Sequence, residues 1–117
     1  MPTGVLIVDD NARFRSRARR WLEGDGYEIV AEAADGASAL EEARRRRPDV
    51  VLLDIELPDM SGLSLAERLA REPDPPAVVL TSTHDAADFG DRLLRCGARG
   101  FVPKAELSGD RLAALLA

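Results

Sequence analysis

Three aspartates stand directly after two apolar runs of the sequence, and their side chains could do chemistry. Asp9 and Asp10 follow the run Val5–Val8, and Asp54 follows the run Val50–Leu53. If both runs are neighbouring parallel strands, the three carboxylates converge at one edge of a sheet. Such a cluster is unfavourable unless a cation compensates it or some carboxylates take up protons. Magnesium prefers oxygen ligands and is commonly held by one or two carboxylates plus a phosphate, so the pattern predicts a magnesium site that handles phosphate.

One ammonium group is placed to join these carboxylates. Of the 16 basic residues all but one are arginine, and Lys104 is the only lysine in the chain. It follows the predicted fifth strand and therefore reaches the same edge of the sheet. A lysine there supplies a mobile point charge for a phosphoryl oxygen, which the planar guanidinium of arginine does not reproduce. The alternative is a codon bias that left one lysine by chance.

Five apolar strands that alternate with five helices must position these residues. Continuous apolar runs are typical of parallel strands covered by helices on both faces. The alternation, with short connections, predicts an α/β fold: a flavodoxin-like, doubly wound, five-stranded parallel sheet of (βα)5 type with strand order 2-1-3-4-5. The predicted strands are 5–8, 27–31, 50–53, 78–80 and 100–103. The predicted helical faces are Phe14, Ala18, Trp21 and Leu22; Ala39, Leu40 and Ala43; Leu65, Ala66, Leu69 and Ala70; Ala86, Phe89, Leu93 and Cys96; and Leu112, Leu115 and Leu116.

The predicted strand order brings the acidic residues to a ligand-binding position. In open parallel sheets, ligands bind outside the carboxyl ends of the strands where the strand order reverses, here between strands 1 and 3. Aspartate is also common as a helix cap and at strand ends, so Asp10 could simply cap the first helix and Asp54 could simply end a strand. These structural interpretations weaken when taken together, because both residues and Lys104 fall at one crevice.

Size and composition set further limits. The chain has 117 residues, a mass of 12.7 kDa and a net charge of −5. We expect a single domain over residues 1–117 that is soluble and cytoplasmic, because no apolar run could span a membrane and no export signal is present. A single cysteine, Cys96, and a single histidine, His84, argue against an internal disulfide and a zinc cluster. The acidic charge argues against nucleic-acid binding.

Three segments resemble the response-regulator receiver domain, the family of the chemotaxis protein CheY. They are Val5–Asp10, Val51–Gly62 and Gly97–Lys104. The resemblance covers essentially the whole chain, and three matches in the right order are not expected by chance. It implies a phosphorylation-dependent signalling switch of a two-component system, which accepts a phosphoryl group from a sensor histidine kinase or a small phosphodonor.

The resemblance also implies a role for each residue of the crevice. Asp54 would be the phosphoacceptor and a ligand of Mg²⁺. Asp10 would bind Mg²⁺ directly, Asp9 would act mainly through water, and the backbone carbonyl of Glu56 would be a further ligand. Lys104 would pair with the phosphoryl group. These roles fit phosphoryl transfer, in which a protein chiefly positions groups and neutralises charge around a carboxylate nucleophile.

A hydroxyl group at the end of strand 4 is implied to contact the phosphoryl group and transmit the signal. Counting back from Lys104 with the family's usual spacing selects Ser82, whereas one extra loop residue would select Thr81. We favour Ser82, although small hydroxyl residues commonly end strands. The family's switch aromatic corresponds to Phe101, which would act by packing alone because phenylalanine has no hydroxyl group. A plain core phenylalanine is the alternative.

Other features of the sequence carry less weight. Glu56 and His84 would flank the phosphorylation site, at positions where the family tunes the lifetime of the phosphate; otherwise His84 is an ordinary loop residue. The run Arg44–Arg47 fits the end of the second helix, where cations complement the helix dipole. Pro103 precedes Lys104, whereas the family often has a proline after the lysine.

Two other function classes share part of this pattern. A haloacid dehalogenase-type phosphatase also has a nucleophilic aspartate after a strand. In that class the strand is the first one, and a second aspartate follows two residues later, where this chain has Glu56. A nucleotide- or flavin-binding module needs a glycine-rich phosphate loop, and the turn Asp9–Ala12 supplies carboxylates instead.

We therefore expect a phosphoacceptor that catalyses its own phosphotransfer and dephosphorylation, and no enzyme acting on an outside substrate. The expected partners are a sensor histidine kinase and a downstream protein target or effector domain, with no direct contact to nucleic acid or membrane. A stand-alone regulator, a receiver fragment of a DNA-binding transcriptional regulator and a phosphorylation-dependent dimer all remain open.

Overall fold

The computed structural model describes residues 2–117 and contains a five-stranded parallel sheet. Its strands are ordered β2-β1-β3-β4-β5, which confirms the predicted fold class. The strands are β1 (Gly4–Val8), β2 (Glu28–Ala33), β3 (Val50–Asp54), β4 (Ala77–Ser82) and β5 (Gly100–Pro103). The helices are α1 (Ala12–Gly24), α2 (Gly36–Arg46), α3 (Gly62–Ala70), α4 (Arg92–Arg95) and α5 (Gly109–Leu116), with 3-10 turns at Ala86–Phe89 and Lys104–Glu106.

Each face of the sheet has its own hydrophobic core, because successive side chains of a strand point to opposite faces. One core joins the sheet to α2 and α3 through Leu6, Val8, Leu40, Val51, Leu53, Leu65, Leu69 and Leu80. The other joins it to α1 and α5 through Val5, Ile7, Phe14, Leu22, Leu52, Val79, Val102 and Leu112. Burial on both faces explains why β1 and β3 are continuous apolar runs, and it fixes the carboxyl ends of both strands.

Helix α1 follows the predicted periodicity with two corrections. Its N-cap is Asn11, whose side chain accepts a hydrogen bond from the backbone of Phe14, so Asp10 does not cap this helix. Phe14 and Leu22 are buried, but Trp21, predicted to lie on the same face, is 41% exposed. A residue next to a buried position is turned about 100° away around a helix, which carries the indole towards solvent.

The segment after β4 differs from its prediction. The apolar residues Ala86, Phe89, Leu93 and Cys96 predict one continuous helix, but the structure has a 3-10 turn followed by the single-turn helix α4. Gly90 separates the two pieces with a φ of 61°, a left-handed conformation that interrupts a right-handed helix. Of the four residues, Cys96 alone is buried.

Strand β2 begins at Glu28 and ends at Ala33, two residues beyond the predicted end. The extension carries Glu32, a charged residue that the apolar pattern excluded from the strand. Glu32 fits there because β2 is an edge strand, and its carboxylate pairs with Arg15 and Arg19 of α1. The extra residues also let the carbonyl of Ala33 accept a hydrogen bond from the backbone of Asp9.

The arginine run lies where the sequence predicts. Helix α2 ends at Arg46 with three arginines in its last turn, and Arg47 follows in a left-handed conformation with a φ of 45°. Nε of Arg44 lies 2.6 Å from a carboxylate oxygen of Glu72. Within residues 2–117, no helix has the length and apolar character needed to cross a membrane.

Candidate functional site

Strands β1 and β3 are hydrogen-bonded neighbours, and their carboxyl ends bring three aspartates together. One carboxylate oxygen each from Asp9, Asp10 and Asp54 lies within 4.8 Å of the others. Asp9 is fully buried, Asp54 is 4% exposed, and Asp10 is exposed to solvent. The cluster is therefore a crevice with a buried floor and one open side. This convergence is the arrangement that the strand order predicts.

Lys104 enters the same crevice from the end of β5. Its Nζ lies 2.6 Å from Oδ2 of Asp9 and 3.4 Å from Oδ2 of Asp54. The ammonium also lies 4.5 Å from the centre of the Phe14 ring, a cation–π distance. Only 15% of the lysine side chain is exposed, so these contacts hold the charge in place. The only lysine of the chain thus lies between two of the three carboxylates.

The carboxyl group of Asp54 has an unusual proton affinity. Burial raises the pKa of Asp54 from the ordinary 3.8 to about 6, and the charge of Asp9 adds to the rise. The backbone N–H of Glu56, which donates to Oδ1 at 3.1 Å, and the ammonium of Lys104 oppose this shift. Asp54 is therefore a weakly stabilised carboxylate that gains from any additional positive charge in the crevice.

At Lys104 the neighbouring charges affect the pKa more than burial does. Burial lowers the pKa of Lys104, but the hydrogen bond to Asp9 and the charges of Asp54 and Asp9 raise it by more, so the net shift is upwards. Lys104 is consequently a permanent cation at neutral pH. One ammonium cannot neutralise three carboxylates, so the crevice keeps an excess of negative charge that a divalent cation would compensate.

The turn after β1 is held so that Asp9 faces Lys104. Oδ1 of Asp9 accepts the backbone N–H of Asn11 at 2.8 Å, and its backbone carbonyl accepts a guanidinium N–H of Arg15 at 2.5 Å. Arg15 is fixed in turn by Glu32 at 3.1 Å. Oδ2 of Asp9 is left with the Lys104 ammonium as its neighbour and makes no other polar contact among residues 2–117. The roles of Arg15 and Phe14 were missed by sequence reasoning, because a helix period shows only which face is buried.

The two candidate hydroxyl groups of β4 point to opposite faces of the sheet. Thr81 is paired in register with Asp54, is fully buried, and its Oγ1 has no hydrogen-bond partner within residues 2–117. Ser82 is equally buried, but its Oγ donates to Oε1 of Glu56 at 3.1 Å and accepts the backbone N–H of His84 at 3.0 Å. The Ser82 hydroxyl is thus engaged with the loop that follows Asp54.

The predicted switch aromatic lies outside the crevice. Phe101 is half-buried against the core that joins the sheet to α2 and α3, and its ring centre is 6.3 Å from that of Phe89. The Phe89 ring also meets His84 edge-on at 6.4 Å, and Nε2 of His84 lies 3.2 Å from Oε1 of Glu56. Ser82 and Phe101 share one face of the sheet, because Leu80 pairs with Phe101 and side chains alternate along a strand.

The loop between β3 and α3 is closed on itself. The backbone N–H of Gly62 donates to the carbonyl of Ile55 at 2.6 Å, and Glu56 forms an antiparallel bridge with Ser61. A Cβ atom at position 62 would overlap the backbone carbonyl of Asp54, so only glycine fits there. The sequence offered Gly62 as a motif match but not this reason, which depends on how closely α3 approaches β3.

The three carboxylates suit a hard cation, and the Lys104 ammonium suits a phosphoryl group. The three carboxylates are all oxygen donors, as Mg²⁺ requires, and the open side next to Asp10 leaves room for water and phosphate. The pKa of Asp54, raised by burial and by the charge of Asp9, means that added positive charge in the crevice would stabilise its carboxylate. The residues therefore fit Mg²⁺.

A 2-1-3-4-5 parallel sheet with an acidic crevice and a lysine at its carboxyl edge defines the class of phosphoacceptor signalling domains. The sequence matches the response regulator receiver domain over residues 5–117, and the chain belongs to this family. It is 41% identical over 114 residues to a protein-glutamate methylesterase/protein-glutamine glutaminase of Alkalilimnicola ehrlichii, covering 94% of this chain and 29% of that protein. It is 35% identical over 115 residues to the transcriptional regulatory protein PdtaR of Mycobacterium tuberculosis, covering 98% of this chain and 56% of that protein.

Solved structures agree with this family assignment. The signal receiver domain of NarL from Mycobacterium tuberculosis superimposes with a TM-score of 0.88 at 34% identity, covering 98% of this chain and 94% of that one. The chain thus spans nearly the whole of a solved receiver domain. It spans only about a third to a half of the curated proteins that it resembles, which extend beyond the receiver.

Proposed function

We propose that this chain is a phosphorylation-controlled switch of a two-component system and that Asp54 receives the phosphoryl group from a sensor histidine kinase. The observation that carries this proposal is the position of Asp54. Its carboxylate is buried at the carboxyl end of β3, raised in pKa, and flanked by Asp9, Asp10 and Lys104. A carboxylate placed only to end a strand needs none of these neighbours.

Phosphoryl transfer at this site is a displacement at phosphorus. An oxygen of Asp54 forms the new bond to phosphorus, while the bond from phosphorus to the imidazole nitrogen of a kinase histidine breaks and the imidazole keeps its electron pair. When bound, Mg²⁺ supplies the positive charge that neutralises the phosphoryl oxygens. Lys104 lies 3.4 Å from the acceptor carboxylate and would contact a phosphoryl oxygen.

The ligands of Mg²⁺ come from three segments of the chain. Asp10, which is exposed, and Asp54 would bind the ion directly, together with the backbone carbonyl of Glu56. Asp9 would act through water, because its buried carboxylate is already engaged by Lys104 and by the backbone of the following turn. No outside substrate is turned over: the domain catalyses its own phosphotransfer and dephosphorylation.

The signal would pass from the phosphoryl group through Ser82 to Phe101. Ser82 is favoured over Thr81 because it lies on the same face of the sheet as Phe101. In the structure its hydroxyl donates to Glu56, so reaching a phosphoryl oxygen requires that hydrogen bond to break. Movement of Ser82 would free space that Phe101, in contact with Phe89, can fill.

The downstream partner of the switch is also part of the proposal. Because the chain covers only part of its curated relatives, we propose that it acts on a protein target or effector domain, and that a DNA-binding output belongs to such a partner. A cytoplasmic location is part of this proposal, since a histidine kinase delivers its phosphoryl group from the inner side of the membrane. A dimer that forms on phosphorylation would show as a doubled molar mass of the phosphorylated protein in solution.

Incubation with acetyl phosphate and Mg²⁺, followed by intact mass measurement, tests the proposal. We expect a gain of one phosphoryl group, roughly 80 Da, that requires Mg²⁺ and is lost in Asp54→Asn. The matched control is Asp91→Asn, a carboxylate that is 78% exposed and pairs with the equally exposed Arg95. A wild-type protein that takes up no phosphoryl group would contradict the proposed function.

A further inference from the structure

The loop between β3 and α3 is docked on the first turn of α2 through Asp59. Oδ1 of Asp59 accepts the backbone N–H of Gly36 at 2.8 Å, and Oδ2 accepts that of Ala37 at 3.0 Å. These N–H groups have no partner inside their own helix, and a carboxylate is favourable at the positive end of a helix dipole. One side chain of the loop therefore satisfies two amides of a neighbouring helix.

A second contact joins the same loop to the same helix residue. The side chain of Met60 lies against Gly36 so closely that a Cβ atom at position 36 would overlap it. Gly36 is buried, whereas Asp59 is exposed and Met60 is partly exposed. A polar contact and an apolar contact thus anchor a surface loop to α2. The other contacts of the loop, such as those of the Glu56 side chain with Ser82 and His84, lie on the side of β4 and not on α2.

Three residues before Asp59, this loop carries a group that the site needs. Its residue Glu56 donates its backbone N–H to the acceptor carboxylate of Asp54 at 3.1 Å, and its carbonyl is one of the ligands proposed above for Mg²⁺. The bridge between Glu56 and Ser61 brings the two ends of the loop together, so Glu56 and Asp59 belong to one short closed segment. In such a short segment, we expect displacement of Asp59 to shift Glu56.

We propose that Asp59 is a positioning residue for the metal-binding site: it holds the loop on α2 so that the carbonyl of Glu56 stays in place for Mg²⁺. The inference rests on the proposed function, since it concerns the same crevice. It adds α2, a helix that contributes no ligand, to the elements that set the affinity for the cation. Groups that act behind a metal ligand typically change metal affinity by about 10- to 100-fold when removed.

Asp35 provides a matched control on the same helix. It is the N-cap of α2, and its Oδ1 accepts the backbone N–H of Ser38 at 2.8 Å. Asp35 lies in the connection from β2, and the hydrogen bonds of its carboxylate go to Ser38 of α2. Replacing either aspartate by alanine removes one negative charge and one cap from the same helix, but only Asp59→Ala releases the loop.

The test is the dissociation constant of Mg²⁺, measured by titration calorimetry on the full chain. We expect Asp59→Ala to weaken Mg²⁺ binding about tenfold and Asp35→Ala to leave it within about twofold of the wild type. Asp59→Asn has the same charge as Asp59→Ala but keeps one acceptor oxygen, so its affinity should fall between those of Asp59→Ala and the wild type. Thermal unfolding of each variant checks that it is folded at the temperature of the titration.

Amide hydrogen exchange supplies a readout that does not depend on the metal. The N–H groups of Gly36 and Ala37 should exchange faster in Asp59→Ala than in the wild type. Equal losses of Mg²⁺ affinity in Asp59→Ala and Asp35→Ala would overturn the inference, because the stability of α2 rather than loop docking would then set the affinity. No loss in either variant would overturn it too, because docking would then have no effect on the affinity. A wild type that binds no Mg²⁺ and gains no phosphoryl group would instead contradict the proposed function.

Discussion

Replacing the proposed acceptor by its uncharged isostere should stabilise the protein. In Asp54→Asn the buried carboxylate becomes a neutral amide of nearly the same shape. The pKa of Asp54 rises from 3.8 to about 6 on folding, chiefly through burial. Ionised Asp54 therefore lowers the free energy of unfolding at neutral pH. One pKa unit corresponds to about 1.4 kcal/mol, which gives a stabilisation of about 3 kcal/mol at neutral pH without Mg²⁺.

The dependence on pH has a definite sign. Because the pKa of Asp54 is higher in the folded state, the folded protein binds a proton more readily than the unfolded chain between pH 3.8 and about 6. The stability that protonation confers is therefore lost as the pH rises through this window. The advantage of Asp54→Asn should be full above about pH 6.5 and should shrink towards zero near pH 4.

Urea unfolding of both proteins from pH 4 to pH 8 measures this difference. For a domain of this size, about 3 kcal/mol corresponds to roughly 10 °C in the midpoint of thermal unfolding, which offers a second readout. Saturating Mg²⁺ should narrow the gap, since it stabilises the wild type by binding the folded state. Asp91→Asn should change the free energy of unfolding by less than about 0.5 kcal/mol. If Asp54→Asn is no more stable than the wild type at pH 7.5 without Mg²⁺, the electrostatic reasoning fails.

Three further predictions follow from the same geometry. Lys104→Met leaves the fully buried Asp9 without its cation and should destabilise the protein by about 3–5 kcal/mol in urea unfolding, less when Mg²⁺ is present; an unchanged midpoint would refute the ion pair. Gly62→Ala forces a Cβ atom against the carbonyl of Asp54 and should cost about 1–3 kcal/mol, whereas Gly24→Ala, with open space around it, should stabilise by about 0.5–1 kcal/mol. The apparent affinity for Mg²⁺ should fall as the pH drops through about 6, because protonation of Asp54 in the metal-free protein competes with the cation; an affinity that stays constant from pH 5 to 8 would contradict this.

Much of the fold could be predicted because its strands are defined by burial on both faces. Continuous apolar runs such as Val50–Leu53 can be recognised in the sequence, and strict alternation with helices leaves few topologies. The segment from Ala86 to Cys96 could not be predicted in the same way. Its apolar spacing fits a helix, but the left-handed conformation of Gly90 interrupts that helix, and a periodic pattern does not report backbone conformation.

The position of the candidate site could also be predicted, because it depends mainly on strand ends. Asp54 ends a strand, and Asp9 and Lys104 each follow one, so the order of the strands alone brings them to one edge. Contacts made by loops could not be predicted from the sequence. The hydrogen bond from Ser82 to Glu56 and the docking of Asp59 on α2 depend on the path of the loop after β3, which no period or propensity encodes.

Chemical trapping of the phosphorylated residue tests the central claim most directly. After reaction with acetyl phosphate and Mg²⁺, borohydride reduces an aspartyl phosphate to homoserine, and peptide mass mapping then locates the modified residue. The account predicts homoserine at position 54 and at no other aspartate of the crevice, and none in Asp54→Asn. Homoserine at Asp9 or Asp10, or a phosphoryl group that survives in Asp54→Asn, would contradict it.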